Sequence, residues 1–135
     1  MKQTIEEFLK LERLAVVGVS RIGLKFGTRV FRNLRSQDYD VVPVNPKMNT
    51  FDDQTVYPNL SAIPEPVQGV VVVIPPKHVG PVLREAAKLG IQHVWLQEGA
   101  ESPEVIALAE ELGLSVVHSG PCVMVEAKRA RFAAA

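Results

Sequence analysis

Two kinds of apolar run alternate along the chain. Leu14 to Val19 is a short, nearly unbroken apolar stretch of strand composition. Phe26, Val30, Phe31 and Leu34 follow at helical spacing, which predicts a helix from Lys25 or Phe26 to about Ser36-Gln37-Asp38. The pair then repeats. Asp40 to Val44 reads as a second strand, in which Pro43 has no amide to donate to a neighbour. Gly69 to Ile74 has no polar break, the signature of a central parallel strand covered on both faces. A helix from about Val79 to Leu89 stops at Gly90, and Ile91 to Leu96 is the fourth strand. Ser102-Pro103-Glu104 joins an N-cap, a proline at the first helical position and an early acid, and that helix runs to Leu112 before Gly113. Leu114 to His118 is the fifth strand.

The remaining segments read less regularly. Thr4-Ile5-Glu6-Glu7 has the form of a capping box and predicts a short N-terminal helix, lying across the sheet edge or against another subunit. Met48 to Pro66 is rich in proline and polar residues. It offers an extended piece at Thr55-Val56-Tyr57 and one helical turn near Ser61-Ala62-Ile63. After Ser119-Gly120-Pro121, the segment Cys122 to Glu126 leads into a basic, alanine-rich tail.

Strands alternating with helices predict an α/β fold with a parallel sheet. The expected architecture is Rossmann-like and doubly wound, one domain over residues 1–135, with the five main strands in the order 3-2-1-4-5. Such sheets bind ligands beyond the carboxyl ends of their strands, at the switch point beside the first. That rule selects four segments together: Gly18 to Gly27, Asn45 to Lys47, Ile74 to Lys77, and Gln97 to Gly99.

Composition narrows the chemistry. Hydrophobic residues at 47% and charged residues at 22% are ordinary for a folded domain of this length, 135 residues. Fifteen basic residues balance fifteen acidic ones, which argues against a nucleic-acid binder with its broad cationic face, so any anion site must be local. The one cysteine, Cys122, cannot form an internal disulfide and fits a reducing compartment. His78, His93 and His118 have no ligand-like spacing, and no metal site is expected. The N-terminus lacks signal-peptide character and no apolar run is long enough for a bilayer, so a cytoplasmic protein without membrane contact is expected.

The turn after the first strand carries the candidate chemistry. A strand that passes through glycines into a helix aims backbone amides and the positive helix end at whatever lies above, which suits a phosphate. Arg21 and Lys25 add mobile positive charge there. The plainer alternative is a turn that needs glycine for its backbone angles alone. The dinucleotide fingerprint is incomplete: Ser20 stands where its second glycine belongs, and Asn45 and Lys47 stand where an acid would take a ribose diol. NAD is therefore disfavoured. Lys47 suits a ribose phosphate instead, which leaves NADP or coenzyme A. The Walker pattern is absent, and Gly23 comes one residue too late for a nucleophile elbow at Ser20.

The succession Gly-Val-Ser-Arg, Val-Val-Pro-Val-Asn-Pro-Lys, Val-Tyr-Pro-Asn-Leu, Val-Val-Val-Val-Ile-Pro-Pro, Val-Trp-Leu-Gln-Glu-Gly and Cys-Val-Met-Val-Glu resembles the stand-alone CoA-binding proteins. These are similar to the N-terminal domain of the succinyl-CoA synthetase alpha subunit. The resemblance spans about Leu11 to Glu126. It implies coenzyme A or acyl-CoA across the switch point, with Val19, Ser20, Arg21 and Lys25 at the phosphates, beside Gly18 and Gly27. Asn45, Pro46 and Lys47 would lie at the adenosine end, Ile74, Pro75 and Pro76 along the nucleotide or pantetheine, and Leu96, Gln97, Glu98 and Gly99 farther along. His118-Ser119-Gly120-Pro121 departs from the family pattern of an Asp and an Arg before the cysteine.

The synthetase chemistry needs a phosphorylated histidine from a second domain and a nucleotide-grasping partner subunit, and neither has room in this chain. The resemblance thus implies binding without catalysis: a carrier, a sensor, or a subunit that supplies CoA to a partner enzyme, alone or as a homo-oligomer. The rivals are an NADP-dependent oxidoreductase and a scaffold with a vestigial pocket. Among the other residues, Cys122 either packs as a small apolar residue or approaches the CoA thiol, and Trp95 reads as core. Glu98 reads as a cap of the helix after it, a binder of backbone amides or a base on an acyl group. Lys128 to Arg131 reads as a solvated helix end that reaches a phosphate only if the tail folds back over the pocket.

Overall fold

A computed structural model describes residues 2–20 and 26–134. Arg21 and Lys25 lie outside the described residues, as does the stretch between them. The main sheet has five parallel strands: β1 (Arg13–Val17), β2 (Asp40–Val44), β5 (Gly69–Val72), β6 (His93–Leu96) and β7 (Ser115–Val117). Helices α1 (Lys2–Leu9), α2 (Phe26–Ser36) and α5 (Val123–Ala134) cover one face, and α3 (Val79–Lys88) and α4 (Pro103–Glu111) the other. Strand residues alternate between the two cores. Val16, Val71 and Trp95 pack with Phe8, Phe31 and Val123, whereas Ala15, Val70 and Val94 pack with Leu83, Ala86 and Ala109. The sheet is thus buried on both faces, as its unbroken apolar runs require.

The strand order corrects one expectation. The sheet runs β2-β1-β5-β6-β7, so among the five main strands the order is 2-1-3-4-5 and not 3-2-1-4-5. The reason lies in residues 45–68, which contain no helix able to place the next strand outside β2. A two-residue ribbon forms instead, β3 (Thr50–Phe51) with β4 (Gln54–Thr55), followed by one 3-10 turn at Leu60–Ala62. Tyr57 then occupies the outer edge of β2: its amide donates to the Pro43 carbonyl (3.1 Å), and its carbonyl accepts from Asn45 N (3.0 Å). Pro43 therefore turns its missing donor to the outer edge, and the β1–β2 ladder is complete without it. With Phe51 and Val56 in one core and Leu60 and Val67 in the other, this segment straps the margin of the sheet.

Most helix termini follow the local sequence. Ser102 Oγ accepts from Val105 N at 3.1 Å, and Gly90 and Gly113 take positive φ just past α3 and α4. The capping box at Thr4 does not start α1, which is already helical at Lys2. The tail after Cys122 is a helix, α5, whose Val123 and Ala127 are buried beside Phe8 and Trp95.

The strap is fastened to α2 by charge. Asp52 and Asp53 both adopt left-handed φ (48° and 61°) in the ribbon turn, a two-residue turn that matches strand twist. The Asp52 carboxylate then accepts from Arg32 Nε (2.9 Å) and Nη2 (3.0 Å) and from Arg35 Nη2 (3.0 Å). The Arg32 hydrogen bond, aided by Arg35, lowers the Asp52 pKa from 3.8 to about 2. A carboxyl group depressed in the folded state adds stability above its unfolded pKa and loses it as pH falls towards the folded one. Asp52→Asn should therefore be less stable than the parent near neutral pH. The gap should close as pH drops from 3.8 towards 2, and thermal melts across that range are the check.

Candidate functional site

β1 is bonded on both sides up to its carboxyl end. Gly18 N donates to Val44 O (3.3 Å) of β2, and Val17 O accepts from Val73 N (2.8 Å) beyond β5. The chain then turns into α2 through unusually close backbone packing. Gly18 has φ +123°, and a Cβ there would run into the Val73 carbonyl. A Cβ on Gly27 would run into the carbonyl of Gly18. These two glycines are what let the first turn of α2 rest on the strand end. Thr28, buried on α2, holds the loop from the other side: its Oγ1 accepts from Ser20 N (3.0 Å) and donates to Ser20 O (2.6 Å).

The loop after β2 is tied to the same place. Asn45 Nδ2 donates to Val19 O (2.6 Å), and Asn45 Oδ1 accepts from Lys47 N (2.8 Å), closing an Asx turn that sets Pro46 and Lys47 at the surface. Asn45 thus shapes the lip with both ends of its amide occupied. The Lys47 ammonium has no carboxylate partner among the described residues.

Between these loops, the end of β5 and α3 lies an open cleft of about 870 Å³. Its walls are chiefly apolar, from Val17, Val44, Leu60, Val73, Ile74 and Val82, with Pro46, Pro58, Pro75 and Pro81 at the rim. Phe26 and Gly27 bring the positive end of α2 to one side of it. Lys47 is the cation lining it among the described residues, and Glu85 the carboxylate. The far wall, Pro58 to Leu60, is fixed by Glu85, whose Oε1 accepts from Leu60 N (2.9 Å) and whose Oε2 accepts from Ser61 N (3.2 Å) and Ser61 Oγ (2.7 Å).

Of the residues singled out from sequence, Gly18, Ser20, Gly27, Asn45, Pro46, Lys47, Ile74 and Pro75 line this cleft. Arg21 and Lys25 fall outside the described residues, and the remaining ones lie elsewhere. Val19 is buried in the α2-side core. Pro76 lines a separate groove between α3 and α4. Leu96 is core, and Gln97 is buried, its Oε1 accepting from Val123 N (2.8 Å) and its Nε2 3.5 Å from Cys122 Sγ. Glu98 and Gly99 are exposed, and the cap of α4 is Ser102 rather than Glu98. The loop after β6 is thus joined to α5 instead of to the cleft, and Trp95 reinforces this by donating to Pro121 O (3.0 Å).

Sequence reasoning missed Asn59, His78, Val82 and Glu85, which reach the cleft from the strap, the turn before α3 and α3 itself. Helical spacing shows which residues of α3 face the core, but not that a carboxylate there caps a distant 3-10 turn. Lys128 and Arg131 line a different cavity, with Asn33 and Gln37 of the α2 end. Among the described residues no His, Cys, Asp and Glu form a metal-binding group, and no helix is long and apolar enough to cross a membrane.

Fold and cleft together define a Rossmann-like α/β domain whose open site sits at the switch point of a 2-1-3-4-5 sheet. Within that class the chain belongs to the CoA binding domain family, whose model matches residues 12–128. It is 29% identical over 131 residues to the alpha subunit of ADP-forming acetate–CoA ligase II of Pyrococcus furiosus, a match covering 88% of this chain and 28% of that subunit. The chain therefore spans about a quarter of that relative's length. Among solved structures, a hypothetical protein from Pyrococcus horikoshii aligns with TM-score 0.87 at 31% identity, covering 96% of this chain and 91% of that one. A conserved hypothetical protein from Pyrococcus furiosus aligns with TM-score 0.80 at 34% identity, covering 85% and 98%.

The two glycines offer a direct test of how the corner is built. Gly27→Ala must displace the Gly18 carbonyl, backbone that is bonded into the sheet, and should cost roughly 1–3 kcal/mol in urea unfolding. An unchanged midpoint would mean that the first turn of α2 does not rest on the strand end.

Proposed function

We propose that this chain binds coenzyme A or an acyl-CoA in the switch-point cleft, as one domain over its whole length. It acts as a carrier, a sensor or an accessory subunit, with no catalysis of its own. The observation that carries the reading is the distribution of charge and apolar surface around that cleft in a member of the CoA-binding family. One side has the positive end of α2, the Ser20 loop and Lys47. The other is an apolar slot edged by prolines, suited to a flat ring. A ligand with phosphates at one end and a heterocycle at the other meets both demands.

In this reading Gly18, Ser20 and Gly27 set the phosphate corner, with Arg21 and Lys25 adding charge, and Pro46 and Lys47 take the ribose phosphate. Ile74 and Pro75 run along the nucleotide. Because Asn45 is engaged at both ends of its amide, its part is to hold Lys47 in place. The pantetheine arm continues past the end of β5, where Glu98 and Gly99 are the exposed residues after β6. The related ligase protein is itself an alpha subunit, which fits an accessory role beside a partner enzyme that receives the acyl group.

Two measurements test this. A ligand that binds the native state alone raises the melting midpoint by mass action, so millimolar CoA should raise it and NADP should not. Lys47→Ala should weaken CoA by roughly tenfold and dephospho-CoA hardly at all, because only CoA carries the ribose phosphate. Equal losses would put Lys47 elsewhere on the ligand.

A further inference from the structure

The far end of the cleft carries a polar pair that its apolar walls do not require. Glu85 is half-buried there and acceptor-only when ionised. Its Oε2 already takes two hydrogen bonds from Ser61, but its Oε1 takes one, from Leu60 N. A carboxylate oxygen has room for two. One acceptor site therefore remains on the carboxylate of a residue that lines the cleft. Next to Leu60 in the chain, Asn59 accepts from Ala62 N through Oδ1 (2.9 Å), capping the 3-10 turn. That cap fixes which way the carboxamide faces and leaves Nδ2, a donor, with no hydrogen bond among the described residues. The Leu60 N bond to Glu85 ties the residue after Asn59 to that carboxylate, and Asn59 and Glu85 both line the cleft.

An acceptor and a donor on two residues lining one end of an apolar cleft fit a ring edge with an exocyclic amino group next to an unprotonated ring nitrogen. We infer that Glu85 and Asn59 form a base-reading edge, Glu85 Oε1 accepting from the amino group and Asn59 Nδ2 donating to the ring nitrogen. This rests on the CoA reading, in which those atoms are N6 and N1 of adenine. It also sets the direction of the ligand. Phosphates cannot lie against Glu85, so they lie at the Ser20, Gly27 and Lys47 side. Glu85 thus has two tasks, holding the 3-10 turn as a wall and selecting the group that enters against it.

The test compares CoA with 1,N6-etheno-CoA, in which both of those base positions are blocked and the rest of the molecule is unchanged. By titration calorimetry on the full chain, CoA should bind about tenfold or more tighter than the etheno form, the size of one or two hydrogen bonds to a charged or desolvated partner. Asn59→Ser keeps an N-cap oxygen but removes the donor. It should weaken CoA and leave etheno-CoA nearly unchanged, so the ratio falls towards one. Both probes meet the same folded variant, so a change in stability cannot mimic this. Equal affinities in the parent, or a ratio unaltered in Asn59→Ser, would overturn the base-reading edge alone. Failure of both probes to bind the parent would overturn the CoA reading and this one with it.

Discussion

Everything at the carboxyl edge depends on one close approach of backbone to backbone. The carbonyl of Gly18 lies where any Cβ on Gly27 would have to be, and Gly18 itself lies against the carbonyl of Val73. Three elements, the ends of β1 and β5 and the start of α2, can only converge this tightly with hydrogen in place of side chains. Once they have, Thr28 bonds Ser20 at both its amide and its carbonyl, and Asn45 bonds the Val19 carbonyl. The Val19 carbonyl and both backbone groups of Ser20 are thus matched from β2 and α2 before any ligand arrives. Preorganisation of this kind lowers the ordering cost of binding.

The second organising feature is the strap of residues 45–68. It contributes no long element, yet it decides the topology by covering the outer edge of β2, so that the next strand joins β1 on its other side. It also supplies the outer wall of the cleft. Asp52 fastens it to α2 on one face of the sheet and Glu85 fastens it to α3 on the other. Because the wall is held at both ends by charged hydrogen bonds, its position relative to the strand ends follows from where those two helices pack. The same residues that build the fold therefore set the width of the site.

How much of this was legible beforehand follows from the range of each interaction. The strands and helices depend on local periodicity, and residues such as Val30, Phe31 and Leu34, or Ser102 with Pro103, announce their roles within a turn or two. The switch-point rule then located Gly18, Ser20, Asn45, Lys47 and Ile74 without any knowledge of contacts. What was not legible depends on pairs distant in sequence. The strand order turned on Tyr57 pairing with β2, Gln97 was diverted inward by the start of α5, and Glu85 reached across to Leu60 and Ser61. The Asp52-Asp53 turn was hidden because it uses two aspartates where asparagine or glycine is the common signal.

The central claim is that a single ligand spans from the glycine corner to the strap across the ends of β1, β2 and β5. The most direct measurement is a CoA titration followed by amide chemical shifts in the full chain. The account predicts saturable shifts at Ser20, Lys47, Leu60 and Ile74, with Gly90 and Gly113 at the opposite edge of the sheet unmoved. Shifts centred on the α3–α4 groove or on α5, with those four amides silent, would contradict it.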